Sequence, residues 1–189
     1  KSKDKKNPKL KRKKSIETQS EDPKCKKSME CVLTPYDPSN CCNNNTPHHV
    51  VPKHCLQKPG QGNSSNPKTY DGCNGYNPRK APCICVSGHD KSTGDHKKIH
   101  DIFDPLEDEQ LENGKASVWS YDDAAYVGAA AVSDVTGCDE NCLRSQVDNY
   151  HQKDPSKKPN IDNETKLRAD STGQHTPKDF STTDTGTQF

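Results

Sequence analysis

The sequence predicts an α+β fold in which two short strands and a helix form a ββα unit, with further helices and long irregular loops around it. Short apolar runs bounded by Pro and Gly mark the strands, at His49 to Val51 and at Pro82 to Val86. Convincing helical spacing begins only after them, from Ser92 onward. Ten cysteines in a chain of 189 residues indicate that disulfides staple the loops.

The segments before the first helix are mostly irregular. Residues 25–47 are rich in Asn, Pro, Ser and Cys, and we expect bridged irregular structure there with a short strand at Cys31 to Leu33. Residues 57–80 carry repeated turn signals and are predicted to form a loop. The second strand is bounded by Pro82 and by the Ser87-Gly88 pair.

The first helix carries the most informative face. Ser92 and Asp95 have the spacing of a capping box, so we expect the helix to begin there and to end at Asp104-Pro105. Positions i, i+3, i+4 and i+7 of this segment share one helical face, which is formed by His96, Ile99, His100 and Phe103. Two histidines are therefore predicted to point inward.

Two more helices follow. The second is predicted over Ser120 to Val135, where an Ala-rich face precedes the helix-breaking Gly137. The third is predicted over Asp139 to His151. Its buried side is expected to consist of Cys142, Leu143, Val147 and Tyr150.

Composition divides the chain into an ordered body and polar ends. The hydrophobic fraction is 26% and the mean hydropathy is −1.21, and apolar residues concentrate between Val32 and Tyr150. We therefore predict a basic linker at 1–24, one domain at 25–152, and a polar, flexible tail at 153–189. No run approaches the roughly 18 apolar residues that span a bilayer, and no signal-peptide pattern is present. The first residue is Lys rather than Met, so we expect a fragment of a longer polypeptide.

Charge excludes a uniformly basic nucleic-acid binder, because the net charge is +1. The first fourteen residues nevertheless hold nine Lys or Arg against one Asp. Such a segment can bind phosphate backbones without sequence preference, although a solvated linker is the favoured interpretation.

The cysteines favour disulfides over structural zinc. No Cys-x-x-Cys pair exists, and the spacings of Cys83 with Cys85 and of Cys138 with Cys142 do not suit a zinc ribbon or finger. Sequence leaves the connectivity open, and it implies an oxidising compartment at some stage.

Four histidines form the candidate site. His48 and His49 are adjacent where the first predicted strand begins. In extended conformation their side chains face opposite ways and cannot comfortably share one metal ion. His96 and His100 project from neighbouring helical turns and can ligate together. We therefore assign His48, His96 and His100 to one divalent metal, and His49 to the general base that activates water.

Further residues are weaker candidates. His89 lies in a loop before the helix and is a candidate extra ligand, while Asp95 is either a supporting carboxylate or a helix cap. A zinc protease is excluded because it requires Glu directly after the first histidine of the His-x-x-x-His pair, where this chain has Lys97.

Several segments resemble a known nuclease family. Residues 46–55, which include the His48-His49 pair, resemble the first motif of the HNH/endonuclease VII superfamily, and in particular the GHH-type bacterial toxin nucleases, with Pro47 in place of the Gly. Residues 80–88, with Gly94-Asp95-His96 and His100-Asp101, resemble the rest of that domain. Residues 138–150 are similar to its closing helix, so the resemblance covers roughly residues 40–151.

The resemblance implies a ββα-metal (His-Me finger) fold and hydrolysis of DNA phosphodiester bonds with little sequence specificity. It implies a single Mg²⁺, Mn²⁺ or Zn²⁺ ion at His48, His96 and His100, with His49 as the base. The family's middle Asn, which orients the base, has no clear match. Asn74 and Asn77 are the candidates, and Ser87 or His89 is expected to stand nearer that place in space.

The resemblance also implies a biological setting. Such toxins are commonly the C-terminal domain of a type VI secretion effector with a PAAR-type tip region, they act on DNA in the cytoplasm of the target bacterium, and a cognate immunity protein blocks them. Two other functions stay open from sequence: an RNase using the same site, and a secreted binding domain stabilised by disulfides or structural zinc without catalysis.

Overall fold

The computed structural model describes residues 23–42, 44–111, 117–152 and 159–173, so most of the predicted basic linker lies outside the described residues. Its elements in chain order are α1 (Pro23–Met29), β1 (Thr34–Pro35), β2 (Asn45–His49), α2 (Lys53–Leu56), β3 (Pro82–Ser87), α3 (Gly94–Asp108), β4 (Ser117–Ser120), α4 (Tyr121–Thr136), α5 (Glu140–His151) and β5 (Lys166–Ala169). The predicted α+β class and the β2–β3–α3 unit are confirmed. No helix among these residues is long and apolar enough to cross a membrane.

The central sheet positions the histidine pair. It has three antiparallel strands in the order β1-β3-β2, and His48 and His49 pair with Ile84 and Cys83 of β3. The strand predicted at His49 to Val51 was wrong in its bounds, because β2 spans Asn45–His49. Val50 and Val51 follow the strand and are buried. Pro47 is tolerated since β2 is an edge strand.

The first strand also lies later than expected. It is formed by Thr34 and Pro35, which pair with Cys83 and Pro82 of β3, rather than by residues 31–33. The sheet is thus built from polar and Pro-containing segments that apolar alternation does not reveal. Backbone pairing to β3 selects them, since β3 is buried along most of its length.

Both predicted ends of α3 were wrong. The helix begins at Gly94 after Thr93, which makes no side-chain cap, and the Ser87 hydroxyl donates to Asp95 at 2.8 Å in place of the expected capping box. It continues through Pro105 to Asp108, and the Glu109 amide donates to the Pro105 carbonyl at 3.0 Å. Polar contacts of the last turn offset the hydrogen bond that proline removes: buried Glu107 accepts the Asp170 amide at 3.1 Å, and Asp108 accepts the Ser171 hydroxyl at 2.8 Å.

Helices α4 and α5 agree with the sequence prediction to within one residue at each end. A capping box between Ser120 and Asp123 starts α4, and Gly137 in the left-handed conformation (φ 76°) ends it. The Asp139 side chain accepts the Cys142 amide at 2.7 Å and caps α5. Cys142 itself is exposed, contrary to expectation, because it lies on the outer side of the first turn.

The two-stranded sheet of β4 and β5 was not predicted. Ser117 pairs with Ala169 and Ser120 with Lys166, and Leu167, Arg168 and Ala169 are buried. Residues 159–173 are therefore part of the packed body, although the sequence placed them in a polar tail. Leu167 and Ala169 alternate with Lys166 and Arg168, and this alternation is too short to predict a strand.

Disulfides are present, as predicted. They join Cys25 to Cys42, Cys31 to Cys138 and Cys41 to Cys85. Cys31–Cys138 ties the beginning of the described chain to the start of α5, and Cys41–Cys85 ties the segment before β2 to β3. The thiols of Cys55, Cys73 and Cys83 are free and buried, and that of Cys142 is free and exposed.

Candidate metal centre

Three imidazoles converge where β2 faces α3. One ligand nitrogen from each of His48, His96 and His100 lies within 4.8 Å of the other two. The rings of His96 and His100 are stacked with centroids 5.5 Å apart, and both meet the His48 ring edge-on, at 4.6 and 5.0 Å. Three imidazole nitrogens beside a cavity are the kind of donor set that catalytic metal sites use, so these residues could hold a metal ion.

Hydrogen bonds orient the two helix histidines. His100 Nδ1 lies 2.8 Å from Asp104 Oδ1, one helical turn further on. His96 Nδ1 lies 3.3 Å from the Thr46 hydroxyl oxygen, and that hydroxyl donates to the Gly88 carbonyl. Because Nδ1 is engaged in both rings, Nε2 is the nitrogen available to a metal.

Burial favours the neutral form of two of these rings, those of His48 and His96. Removal from water lowers the pKa of His48 well below its usual value, and the neighbouring charges of His100 and His96 lower it further. Burial likewise lowers the pKa of His96, with His100 acting in the same direction. Unprotonated imidazole is the form that binds metal, so the environment favours ligation near neutral pH.

His49 lies apart from this trio, as the strand geometry predicts for adjacent residues. Its Nε2 is 2.8 Å from the Pro78 carbonyl oxygen, and its ring stacks on Tyr36 at a centroid distance of 4.9 Å. Nε2 must donate to that carbonyl, which leaves Nδ1 as the proton acceptor. Burial lowers the pKa of His49 to about 4, although the bond to Pro78 opposes this shift.

Helix α5 supports the carbonyl that orients His49. The Tyr150 hydroxyl donates to the Asn77 carbonyl at 3.0 Å, one residue before Pro78. The Asn77 side chain does not contact His49; its oxygen accepts the Arg79 amide at 2.9 Å. The place expected for an orienting Asn is thus taken by a backbone carbonyl, and the Asn77 side chain instead stabilises the turn.

The trio and His49 open into one cavity of about 260 Å³. His89, one of the weaker candidates, is exposed and lines this cavity, but it is not in the converging trio. Asp95 lies outside the cavity, where its carboxylate accepts from Lys98 and Ser87, both at 2.8 Å. The bond from Lys98, and to a smaller extent that from Ser87, lowers the pKa of Asp95. The bond from Ser87 also joins the end of β3 to the start of α3.

A second cluster adjoins the cavity. His54, which lines it, places Nε2 at 2.7 and 2.9 Å from the two carboxylate oxygens of Glu107. The Cys55 thiol lies 3.4 Å from Glu107 Oε1, and the Asp170 amide donates to the same oxygen at 3.1 Å. From sequence, His54 is a candidate either for a phosphate contact or for an exposed residue without a site role.

Several supporting groups were missed from sequence. Asp104 stands four residues after His100, a spacing that brings helical side chains together, so that pair was accessible to sequence analysis. Thr46 and Tyr36 come from segments whose fold the sequence did not define. The Pro78 carbonyl carries no side-chain signal at all.

Residues 45–151 match the model of a family described as GHH signature containing HNH/Endo VII superfamily nuclease toxin 2. The matched range begins with β2 and ends with α5, so it includes all four histidines of the site.

A curated relative, the DNase toxin Tse7 of Pseudomonas aeruginosa, is 31% identical over 163 residues. The match covers 80% of this chain and 41% of the relative, so the chain spans less than half of that protein's length. No solved structure matches the chain.

Proposed function

Because the chain belongs to the GHH-signature HNH/Endo VII nuclease toxins, we propose that it is a metal-dependent endonuclease that hydrolyses DNA with little sequence specificity. The observation that carries the proposal is the convergence of His48, His96 and His100 on one point, with His49 beside them in the same cavity. DNA is favoured as substrate because the relative from Pseudomonas aeruginosa is named a DNase toxin.

The donor set suits a divalent metal. Three imidazole nitrogens leave open coordination positions toward the cavity, and imidazole is a better ligand for Zn²⁺ than for Mg²⁺, which prefers oxygen. We propose one ion held by His48, His96 and His100. When bound, it supplies Lewis-acid stabilisation of the negative charge on the scissile phosphate.

His49 is proposed as the general base. Its Nε2–H is fixed by the Pro78 carbonyl, so Nδ1 accepts a proton from a water molecule in the cavity. Stacking on Tyr36 fixes the plane of the ring. The low pKa of His49 keeps its ring unprotonated at neutral pH. Although a low pKa makes His49 a weak base, its fixed position allows it to remove a proton from the water that attacks phosphorus.

The biological role is proposed from the same family. We propose an antibacterial toxin that is delivered by a type VI secretion apparatus, with a PAAR-type tip region as partner, and that acts on DNA in the cytoplasm of the target cell. A cognate immunity protein is expected to cover the cavity or the path of DNA to it.

Plasmid cleavage tests the proposal. The purified chain with Zn²⁺, Mn²⁺ or Mg²⁺ should cut supercoiled plasmid, and EDTA should stop it. His49→Ala should lower the rate at least about 100-fold, the scale of a lost general base, while metal binding persists. His96→Ala should lose both cleavage and metal binding. Cleavage by His49→Ala at the original rate contradicts the assignment.

Lys97→Ala is the matched control for His96→Ala. Lys97 is the next residue of α3, it is exposed, and its side chain pairs with Asp101 away from the trio. Its cleavage rate should stay within about twofold of the original. Total RNA serves as a second substrate, and preferential cleavage of RNA would convert the proposal into that of an RNase.

A further inference from the structure

A half-buried lysine lines the cavity of the metal centre. Lys53 is the first residue of α2 and stands four positions after His49, beyond the buried residues 50–52. It lines the same cavity as the histidine trio and His49, so its ammonium and the proposed metal site open onto one space. Partial burial costs the ammonium part of its hydration and lowers the pKa of Lys53. An anion in the cavity would replace the lost hydration.

No counter-ion of Lys53 is built into the site. Among the residues that the structure describes, its ammonium donates one hydrogen bond, to Oδ1 of Asn63, and forms no ion pair. The amide oxygen is neutral, so it accepts a hydrogen bond without cancelling the charge. Because a charge withdrawn from water is costly unless an opposite charge compensates it, the site favours an anionic ligand beside Lys53.

The other charged side chains of the cavity leave this positive charge uncompensated. Asp90 lines the cavity but is exposed, and its carboxylate accepts the Ser92 amide at 2.8 Å and the Ser92 hydroxyl. Lys91 is also exposed at the cavity and adds a second ammonium. The lining therefore has two lysines against one carboxylate that is already engaged, which is the charge balance of an anion-binding site.

Asn63 is itself held in place, which gives Lys53 a defined position. The Arg79 side chain donates from Nε to the Asn63 carbonyl at 3.1 Å, and the Gln57 side chain donates to the carbonyl of neighbouring Gly62 at 2.8 Å. Both contacts lie within the loop of residues 57–80. This loop therefore brings the acceptor that orients the Lys53 ammonium.

The Lys53 ammonium also lies close enough to the proposed base to act on it. Burial is the main cause of the low pKa of His49; the bond to Pro78 opposes it, and the charge of Lys53 lowers the pKa further. A phosphate under attack must lie between the water activated by His49 and the histidine trio. Such a phosphate comes within reach of Lys53.

We propose that Lys53, positioned by Asn63, binds a non-bridging oxygen of the scissile phosphate. The inference rests on the proposed nuclease function and adds a catalytic residue to it. Negative charge is carried by the non-bridging oxygens as water attacks phosphorus. A fixed ammonium in a partly water-excluded site stabilises that charge without having to reorganise.

Two substrates test which phosphate Lys53 contacts. Duplex DNA has phosphates that flank the reacting one, whereas bis(4-nitrophenyl) phosphate has the reacting phosphate alone. Lys53→Gln keeps a hydrogen-bond donor but removes the charge. We expect its kcat/KM to fall about 100-fold on both substrates, the scale of a lost oxyanion donor. Lys53→Arg, which restores the charge, should recover most of the loss.

Lys58→Gln is the matched control. Lys58 is an exposed lysine five positions further on, and it does not line the cavity. Its kcat/KM should stay within about twofold of the original on both substrates.

Asn63→Asp tests the missing counter-ion directly. The new carboxylate would lie beside the ammonium and compete with phosphate for it. We expect kcat/KM to fall at least about tenfold on both substrates, the scale of a hydrogen bond to a charged group. Asn63→Ala removes the acceptor without adding charge, so its loss should be smaller.

DNA binding in EDTA provides a readout independent of cleavage. The plot of log K against log salt should lose about one unit of slope in Lys53→Gln, as expected for one lost phosphate contact. If the unsubstituted chain cleaves neither substrate but this slope still changes, the nuclease proposal fails and the phosphate contact stands.

Three results would overturn the inference. A loss of kcat/KM on DNA alone would move the contact from the scissile phosphate to a flanking one. Unchanged kinetics and an unchanged slope in Lys53→Gln would leave Lys53 without a role in phosphate binding. Equal losses that Lys53→Arg does not restore, with a lower free energy of unfolding in urea, would make Lys53 a structural donor to Asn63.

Discussion

At the scale of single residues, the site depends on groups that hold imidazole rings in place. Asp104 and Thr46 engage Nδ1 of His100 and His96, and the Pro78 carbonyl engages Nε2 of His49. Each contact selects which ring nitrogen is left for chemistry. The proposed ligands and the proposed base thus differ in tautomer because their hydrogen-bond partners differ.

Tyr150→Phe tests the support of the base. The substitution removes the hydrogen bond to the Asn77 carbonyl, which is worth roughly 1 kcal/mol, and loosens the turn that contains Pro78. We expect kcat for plasmid cleavage to fall several-fold while the metal dissociation constant stays unchanged. Tyr126→Phe is the matched control, because Tyr126 is 58% exposed on α4. Unchanged kcat in Tyr150→Phe would show that the turn does not need this bond.

The candidate histidines could be predicted from sequence, but their supports could not. His48 and His49 are adjacent, and His96 and His100 lie four residues apart, so these local spacings made the four candidates identifiable. The group at Pro78 is a backbone carbonyl, which every residue possesses. Its role depends on the path of residues 57–80, a loop that local turn signals do not place relative to β2.

At the scale of elements, local signals predicted α4 and α5 and failed elsewhere. Both helices carry their own caps, in Ser120, Gly137 and Asp139, so their ends follow from neighbouring residues. The pairing of β4 with β5 joins residues about fifty positions apart, and the last turn of α3, beyond Pro105, is held by hydrogen bonds to Asp170 and Ser171. Tertiary contacts decide both features, and local sequence patterns do not reveal tertiary contacts.

Gly128→Ala tests the packing of α4 on the end of β2. A Cβ atom at Gly128 would lie 2.2 Å from the Val50 carbonyl oxygen, so the helix or the strand end must move. Alanine would otherwise favour the helix by about 1 kcal/mol. We expect a net loss of about 1–3 kcal/mol in the free energy of unfolding, measured in urea.

Asp134→Ala is the control on the same helix. Asp134 is exposed, so its replacement should leave the free energy of unfolding nearly unchanged or slightly higher. An increase in stability for Gly128→Ala would mean that α4 and β2 are not in close contact.

At the scale of the whole molecule, buried neutral histidines couple folding to pH. Burial lowers the pKa of His49 to about 4 and that of His151 to about 3, and it lowers that of His48 as well. The unfolded chain binds protons at these groups near pH 6.5. Their contribution to stability is therefore complete above that pH and decreases as the pH falls toward the folded-state values.

We expect the free energy of unfolding in EDTA to decrease below about pH 6.5, by roughly 1.4 kcal/mol per pH unit for each such histidine. Urea denaturation at several pH values between 7.5 and 4.5 measures the slope. His151→Gln should reduce this pH slope by the contribution of one histidine, roughly 1.4 kcal/mol per pH unit. A stability that stays constant across this range would contradict the burial of neutral imidazoles.

The disulfides join the two halves of the site by a covalent path that does not pass through the loop of residues 57–80. His48 and His49 precede the loop of residues 57–80, and His96 and His100 follow it. Cys31–Cys138 and Cys41–Cys85 both bridge across that loop. A protease that cuts between Gly60 and Gly62 would therefore produce two pieces that migrate as one on a non-reducing gel and as two after reduction. Both halves of the histidine cluster would stay on one molecule as long as either bridge is oxidised.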